Sequence, residues 1–144
     1  MTRQRATPAG LLLADTSVAV ALCSADHPRH RAAIRCVGDR PLGLAGHAWF
    51  ETFSVLTRLP PPGRRSPQDV ISMMRENFPE TVFISAAEQH SFTLELPSLT
   101  ISGGAIYDAL VALAVRKSGA SLITADRRAL PTYRLIDIPV ALIE

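Results

Sequence analysis

The chain alternates short, wholly apolar runs with longer stretches whose apolar residues recur every three or four positions. Residues 11–14 (Leu-Leu-Leu-Ala) form a continuous apolar run, the pattern of a strand covered on both faces. Asp15, Thr16 and Ser17 follow with oxygens that can cap a helix over 18–24. Asp26, His27 and Pro28 stop that helix, and Pro28 suits the first turn of a second one ending near Gly38. Residues 41–45 are a candidate short strand. A helix is predicted over 47–59, with Trp49, Phe53 and Leu56 on one side, and Pro60, Pro61, Pro62 and Gly63 end it.

The second half repeats the alternation. Residues 68–78 are amphipathic through Val70, Ile71, Met74 and Phe78; 81–84 reads as a strand and 86–96 as a helix. Gly103 and Gly104 introduce an Ala-, Leu- and Val-rich helix over 105–117, which Gly119 stops by tolerating a left-handed turn. Residues 121–124 form another buried strand, and 134–138 and 140–143 are strand-like. Strands alternating with helices predict an α/β fold with a parallel sheet covered on both faces. No repeat or linker divides the chain. A single domain over 11–144 is expected, with residues 1–10 as a flexible N-terminal tail. Arg3 and Arg5 before an apolar stretch superficially suggest an export signal, but Asp15 interrupts that stretch early.

Composition narrows the class. At 144 residues, 47% hydrophobic and 19% charged, the chain suits one ordinary globular domain. No apolar run approaches the roughly 20 residues of a membrane helix, so no membrane association is expected. The formal charge is only +2, far from the dense positive charge of a histone-like binder, and of 15 basic residues only Lys117 is a lysine. Arginine's planar fork suits phosphate, although a coding bias explains the same count. Cys23 and Cys36 are too few for a disulfide scaffold and lack metal-ligand spacing; both sit in apolar stretches where small buried side chains are expected. A reducing cytoplasm is the simplest setting. His27, His30, His47 and His90 have no spacing that unites them as a zinc site.

Four acids carry the candidate chemistry. Ligands of open α/β sheets collect outside the carboxyl ends of the strands. Asp15 directly follows the first strand, and Asp126 lies two residues beyond Thr124. Glu51 and Asp108 fall early in helices that can point at the same edge. Their convergence is a matter for the fold. Converging carboxylates repel, so some must protonate or recruit a cation. Mg²⁺ prefers oxygen ligands and can activate water against a phosphodiester. Each acid also has a plainer role: Asp15 as a helix cap, Glu51 as a solvated helix residue, Asp126 as an ion-pair partner of Arg127 or Arg128. Asp108 is harder to dismiss, because Ile106, Ala109, Leu110 and Val111 surround it in sequence.

These segments resemble the PIN-domain nucleases, specifically VapC-type toxins of toxin–antitoxin pairs. The resemblance runs from about Leu11 to Leu142 through LLLADTSVAVAL with Asp15, HAWFETFSVLTRLP with Glu51, GGAIYDALVALAV with Asp108 and LITADRRAL with Asp126. It implies a three-layer α/β/α sandwich with a central parallel sheet and a site of Asp15, Glu51, Asp108 and Asp126 holding Mg²⁺ or Mn²⁺. It also implies endonucleolytic cleavage of RNA, commonly structured RNA such as tRNA or ribosomal RNA. A cognate VapB-type antitoxin and a homodimer are further implied. Thr124 matches a position where relatives keep a hydroxyl beside the site, and Ser17 is a second supporting candidate.

Arg64, Arg65 and Arg127 are candidates for guiding RNA phosphates, as are Arg29, Arg31 and Arg35, with a solvated charged face as the competing explanation. Trp49, Phe50 and Phe53 are read as core or dimer contacts. Two other functions compete: a non-catalytic module binding RNA or protein in the same groove, and a phosphotransferase using Asp15 as nucleophile. The latter lacks a second acid two residues on, where Ser17 stands.

Overall fold

In a computed structural model, residues 9–144 are described. Residues 1–8 of the expected tail lie outside them, while Gly10 sits in a left-handed turn and its carbonyl accepts the Arg40 Nε–H at 3.0 Å. The described elements are β1 (Leu12–Ala14), α1 (Thr16–Cys23), α2 (His30–Val37), β2 (Leu42–Leu44), α3 (Gly46–Arg58), α4 (Pro67–Asn77), α5 (Ala86–Leu99), α6 (Ala105–Ser118), β3 (Ser121–Thr124), α7 (Leu130–Leu135) and β4 (Val140–Leu142). A single 3₁₀ turn over Arg127–Ala129 precedes α7.

The four strands are parallel in the order β2-β1-β3-β4. Side chains alternate across the sheet, so each strand feeds two cores. Leu13 and Leu122 pack with α5, α6 and α7 through Phe92, Leu113 and Tyr133. Leu12, Ala14 and Ile123 face the other way, onto α1, α2 and α4 through Val18, Ala33, Val70 and Met74. That is the expected three-layer sandwich. Burying one such Leu, Val or Phe side chain contributes roughly 1.5–3 kcal/mol, which explains why strands of three or four residues suffice when both faces are covered.

Five local expectations are corrected. The strand expected over 81–84 is a single bridge between Val82 and Ala45. Glu80 and Val82 donate their N–H groups to Leu42 and Leu44 as a strand would, but the Leu44 N–H is taken by the Thr81 hydroxyl at 3.1 Å, so the ladder breaks there. The strand expected over 134–138 is the end of α7 and a turn. Asp126 caps the 3₁₀ turn, Pro131 occupies the first turn of α7, and Leu130 and Tyr133 bury one face at helical spacing before Asp137 adopts a left-handed conformation. Helix α5 continues through Pro97 to Leu99, although Pro97 has no N–H to give the Thr93 carbonyl, and Thr100 then ends it in a left-handed conformation. Pro28 precedes α2 rather than entering its first turn. Cys23 is buried as expected, but Cys36 is exposed; both thiols are free. Burial pushes the Cys23 thiol up to about 11.

Gly43 lets the 80–82 segment lie against the sheet. A Cβ there would stand 2.2 Å from the Glu80 carbonyl group. Gly43→Ala is therefore expected to destabilise the domain by about 1–3 kcal/mol through backbone overpacking. Thermal melts check this; an unchanged Tm would show that the segment moves aside freely.

Candidate active site

The strand order reverses between β1 and β3, and such a switch point opens a crevice at the carboxyl ends of the strands. Asp15 leaves β1 there and Asp126 leaves β3. Helices α1 and α3 each begin after a single intervening residue, Asp15 and Ala45, so their N-termini lie at this edge. Helix α6 runs back into β3 through only Gly119 and Ala120, which places its N-terminus, with Asp108 in its first turn, at the same edge. The positive ends of these helix dipoles favour negative charge at this point. Asp15, Glu51, Asp108 and Asp126 together line one cavity of about 50 Å³, with Thr16, Ser17, Val111 and Tyr133 completing its walls.

Asp15 is almost fully buried, and every one of its partners is a donor. Its Oδ1 accepts the Ser17 hydroxyl at 2.5 Å and the Val18 N–H at 3.3 Å, the N-cap bond of α1. Its Oδ2 accepts the Tyr133 hydroxyl at 2.9 Å and the Thr124 hydroxyl. The Ser17 and Thr124 oxygens in turn accept the N–H groups of Ala125 and Asp126, leaving their hydrogens to point at the carboxylate. Burial pushes the Asp15 carboxyl above its ordinary range, against the pull of these hydrogen bonds. The cap read from sequence is real, and it is also a cross-brace between β1, α1, β3 and α7.

The other acids are less enclosed. Glu51 accepts the Thr16 hydroxyl at 3.0 Å and pairs with His47 Nε2 at 3.0 Å, one turn earlier on α3. The His47 ring stacks on Tyr107, the neighbour of Asp108. Asp126 accepts the Arg128 N–H at 2.9 Å, so its contact with the arginines runs through backbone rather than an ion pair. The Asp108 carboxylate makes no hydrogen bond among the described residues. Burial, then the charges of Asp126, Glu51 and Asp15, raise its carboxyl to about 6, with His47 opposing. It is the acid whose charge the protein leaves least compensated.

Two contributors were not legible as such. Tyr133 fell beside a segment read as strand, yet Leu130 and Tyr133 already stand at helical spacing, and a buried phenol needs a polar partner. Burial and the Asp15 charge push its hydroxyl far above the ordinary tyrosine range, so it remains a donor. His47 was weighed only for zinc, whereas its i,i+4 spacing to Glu51 is the informative signal.

The candidate arginines divide. Arg65 is half-buried and spends its guanidinium on the Cys23 carbonyl at 2.8 Å and the Met73 sulfur at 2.9 Å. That anchors it at the far end of α1 from Asp15, about 12 Å along the helix at 1.5 Å per residue. Arg64 bonds the Leu59 carbonyl at 2.9 Å. Of Arg64, Arg65 and Arg127, only Arg127 adjoins the acidic edge, where Arg29 also lines a groove with Asp126. Trp49 and Phe53 are half-buried and stacked against the second core, but Phe50 is 59% exposed.

A cation would suit this donor set, which is all oxygen and carries one half-buried, unpartnered carboxylate facing three others. Among the described residues no three His, Cys, Asp or Glu side chains stand ready to share one ion directly. Mg²⁺ tolerates that, since it keeps several waters and uses one or two carboxylates.

An open parallel sheet with a carboxylate cluster at its switch point is the architecture that the sequence resemblance implies. The family model for the PIN domain matches residues 12–135. Ribonuclease VapC27 of Mycobacterium tuberculosis is 41% identical over 129 residues, covering 90% of this chain and 94% of that protein. Ribonuclease VapC40 of the same species is 38% identical over 134 residues, covering 92% and 99%. Among solved structures, VapBC2 of Rickettsia felis, bound to a fragment of its promoter DNA, matches with a TM-score of 0.66 at 13% identity, covering 93% of this chain and 99% of that one. M. tuberculosis VapC20, a toxin that cleaves the sarcin–ricin loop, matches with a TM-score of 0.57 at 22% identity, covering 76% and 85%. The chain belongs to the PIN-domain family of nucleases, in its VapC branch.

Proposed function

We propose that this chain is a divalent-metal-dependent endoribonuclease toxin, neutralised by a VapB-type antitoxin and working as a homodimer on structured RNA. The observation that carries the reading is the meeting of Asp15, Glu51, Asp108 and Asp126 in one cavity from four separate segments. A pure binding module has no use for a buried concentration of like charge. The relatives named as ribonucleases support RNA as substrate, and the sarcin–ricin specificity of VapC20 supports a folded RNA target. The antitoxin assignment rests on the VapBC architecture of the R. felis neighbour.

In this reading Asp15, Glu51, Asp108 and Asp126 would hold Mg²⁺ or Mn²⁺, one or two of them directly and the others through its waters, with Asp15 fixed in place by its four donors. When bound, such an ion activates water and stabilises the oxygens of an in-line phosphodiester displacement. Ser17, Thr124 and Tyr133 keep the Asp15 carboxylate from rotating. His47 and Thr16 hold Glu51 in one orientation, and the N-termini of α1, α3 and α6 offset charge at the edge.

The test is purified protein incubated with total cellular RNA, followed by mapping of new 5′ ends. Discrete ends that appear with Mg²⁺ and vanish with EDTA are expected. Folded, soluble protein that produces none with either Mg²⁺ or Mn²⁺ sinks the reading.

A pH dependence follows from Asp108. Its raised carboxyl holds a proton below about pH 6, and a cation must then displace that proton. Divalent affinity should fall as pH drops through that value, by about tenfold one unit below it. The midpoint of Mg²⁺-induced thermal stabilisation at pH 5.0 and pH 7.5 measures this; equal midpoints would remove Asp108 from the ion's ligands.

A further inference from the structure

The acidic cavity lies between the ends of β1 and β3, and a second groove opens beside it between the ends of β3 and β4. It has a volume of about 450 Å³ and is lined chiefly by Arg29, Asp126, Arg127, Arg128, Ile143 and Glu144. Asp126 lines both cavities, so the two adjoin at the carboxyl edge of the sheet. The arginines reach the groove from separate places: Arg29 from the turn before α2, Arg127 and Arg128 from the 3₁₀ turn after β3. All three are exposed. Arg127 is paired with Glu144, whereas the guanidinium groups of Arg29 and Arg128 have no hydrogen-bond or ion-pair partner among the described residues. Two unpaired guanidinium groups therefore border an acid site that would otherwise repel a polyanion. Arg64 and Arg65 do not serve here, since both bond backbone carbonyls elsewhere.

We infer that this groove is the subsite for a backbone phosphate next to the scissile one, with Arg29 and Arg128 as its binding residues. The assignment rests on the nuclease reading for the identity of the neighbouring site. A strand crossing the edge of the sheet places one phosphodiester over the carboxylates and its neighbour among the arginines. The contact recognises charge and not bases, so Arg29 and Arg128 supply affinity without sequence preference.

The test is equilibrium binding of a fluorescein-labelled 12-nucleotide oligouridylate in EDTA, across a NaCl series, by anisotropy. Each phosphate contact on a single strand contributes about 0.7 to the slope of log affinity against log salt. Arg29→Ala and Arg128→Ala should each lower the slope by about that amount, and the double variant by about twice as much. Arg29→Lys and Arg128→Lys should retain it, and Arg75→Ala, on α4, should leave it unchanged. A double Ala variant with the wild-type slope, or a wild-type protein that does not bind the oligonucleotide, overturns the proposal. Parallel cleavage of cellular RNA with Mg²⁺ separates the two readings. Cleavage with an unaltered slope discards the groove alone, while an arginine-dependent slope without cleavage keeps the groove and discards the nuclease.

Discussion

Asp108→Asn is expected to abolish RNA cleavage while making the metal-free protein more stable at neutral pH. The two effects have one cause. Asp108 is half-buried, has no hydrogen-bond donor among the described residues, and faces Asp126, Glu51 and Asp15, which together with burial raise its carboxyl to about 6. An amide removes the repulsion and the ligand at once. Loss of activity on the order of 10²–10³-fold or more is expected for a group that supports charge at the reacting centre. The gain in stability is about 1 kcal/mol once solvent screening of a half-exposed group is allowed for, or about 3–5 °C in Tm. Its size depends on pH. A carboxyl whose pKa is raised on folding favours the folded state below the unfolded pKa and loses that contribution as pH rises through about 6. The advantage of the variant should therefore be present at pH 7.5 in EDTA and absent by about pH 4. Thermal melts at both pH values, beside a cleavage assay, decide it. An inactive variant that is less stable at pH 7.5 would mean Asp108 is a structural acid; an active one would remove it from the site.

Asp15→Ala should also abolish cleavage, but with the opposite effect on stability. Its carboxylate accepts from Ser17, Val18, Thr124 and Tyr133. Removing it strands buried donors, which cost about 1–3 kcal/mol each when left unsatisfied. The total should be on the order of 3 kcal/mol or more, a fall of about 10 °C in Tm. Tyr133→Phe removes one donor and keeps the rest, so a smaller loss of about 1.5 kcal/mol is expected, with the fold intact. If Asp15→Ala melts at the wild-type temperature, the brace does not stabilise the fold and Asp15 acts only in chemistry. A Tyr133→Phe protein that cleaves normally would show that three donors orient Asp15 well enough.

The opposite outcomes for two aspartates in one cavity separate what was legible in the chain from what was not. Periodicity and capping depend on near neighbours, so most elements could be read: the two-faced apolar runs of β1 and β3, the Asp15 cap of α1, the long apolar helix α6 with Gly119 at its end. The four acids were legible as residue types in the right order, and their places after strands or at helix starts follow from local rules.

Where local signals were weak, the reading failed for physical reasons. The stretch around Val82 makes strand-like hydrogen bonds until the Thr81 side chain substitutes for a backbone carbonyl. The segment after Leu130 is helical because its apolar face finds the α6 core. Charge was equally ambiguous. Arg64 and Arg65 are adjacent to each other and distant from the acids, while Arg29 and Arg128 are far apart in the chain and line one groove.

Amino-acid sequence alone determined the alternation of strands and helices, the apolar surfaces to be buried and the supply of carboxylates, because each is set by residues within a turn or two of one another. Tertiary structure decided which carboxylate is braced and which is left charged and bare. Thr124 and Tyr133 reach Asp15 across 109 and 118 positions, and only the strand order β2-β1-β3-β4, chosen by burial of both faces of the sheet, brings those ends together.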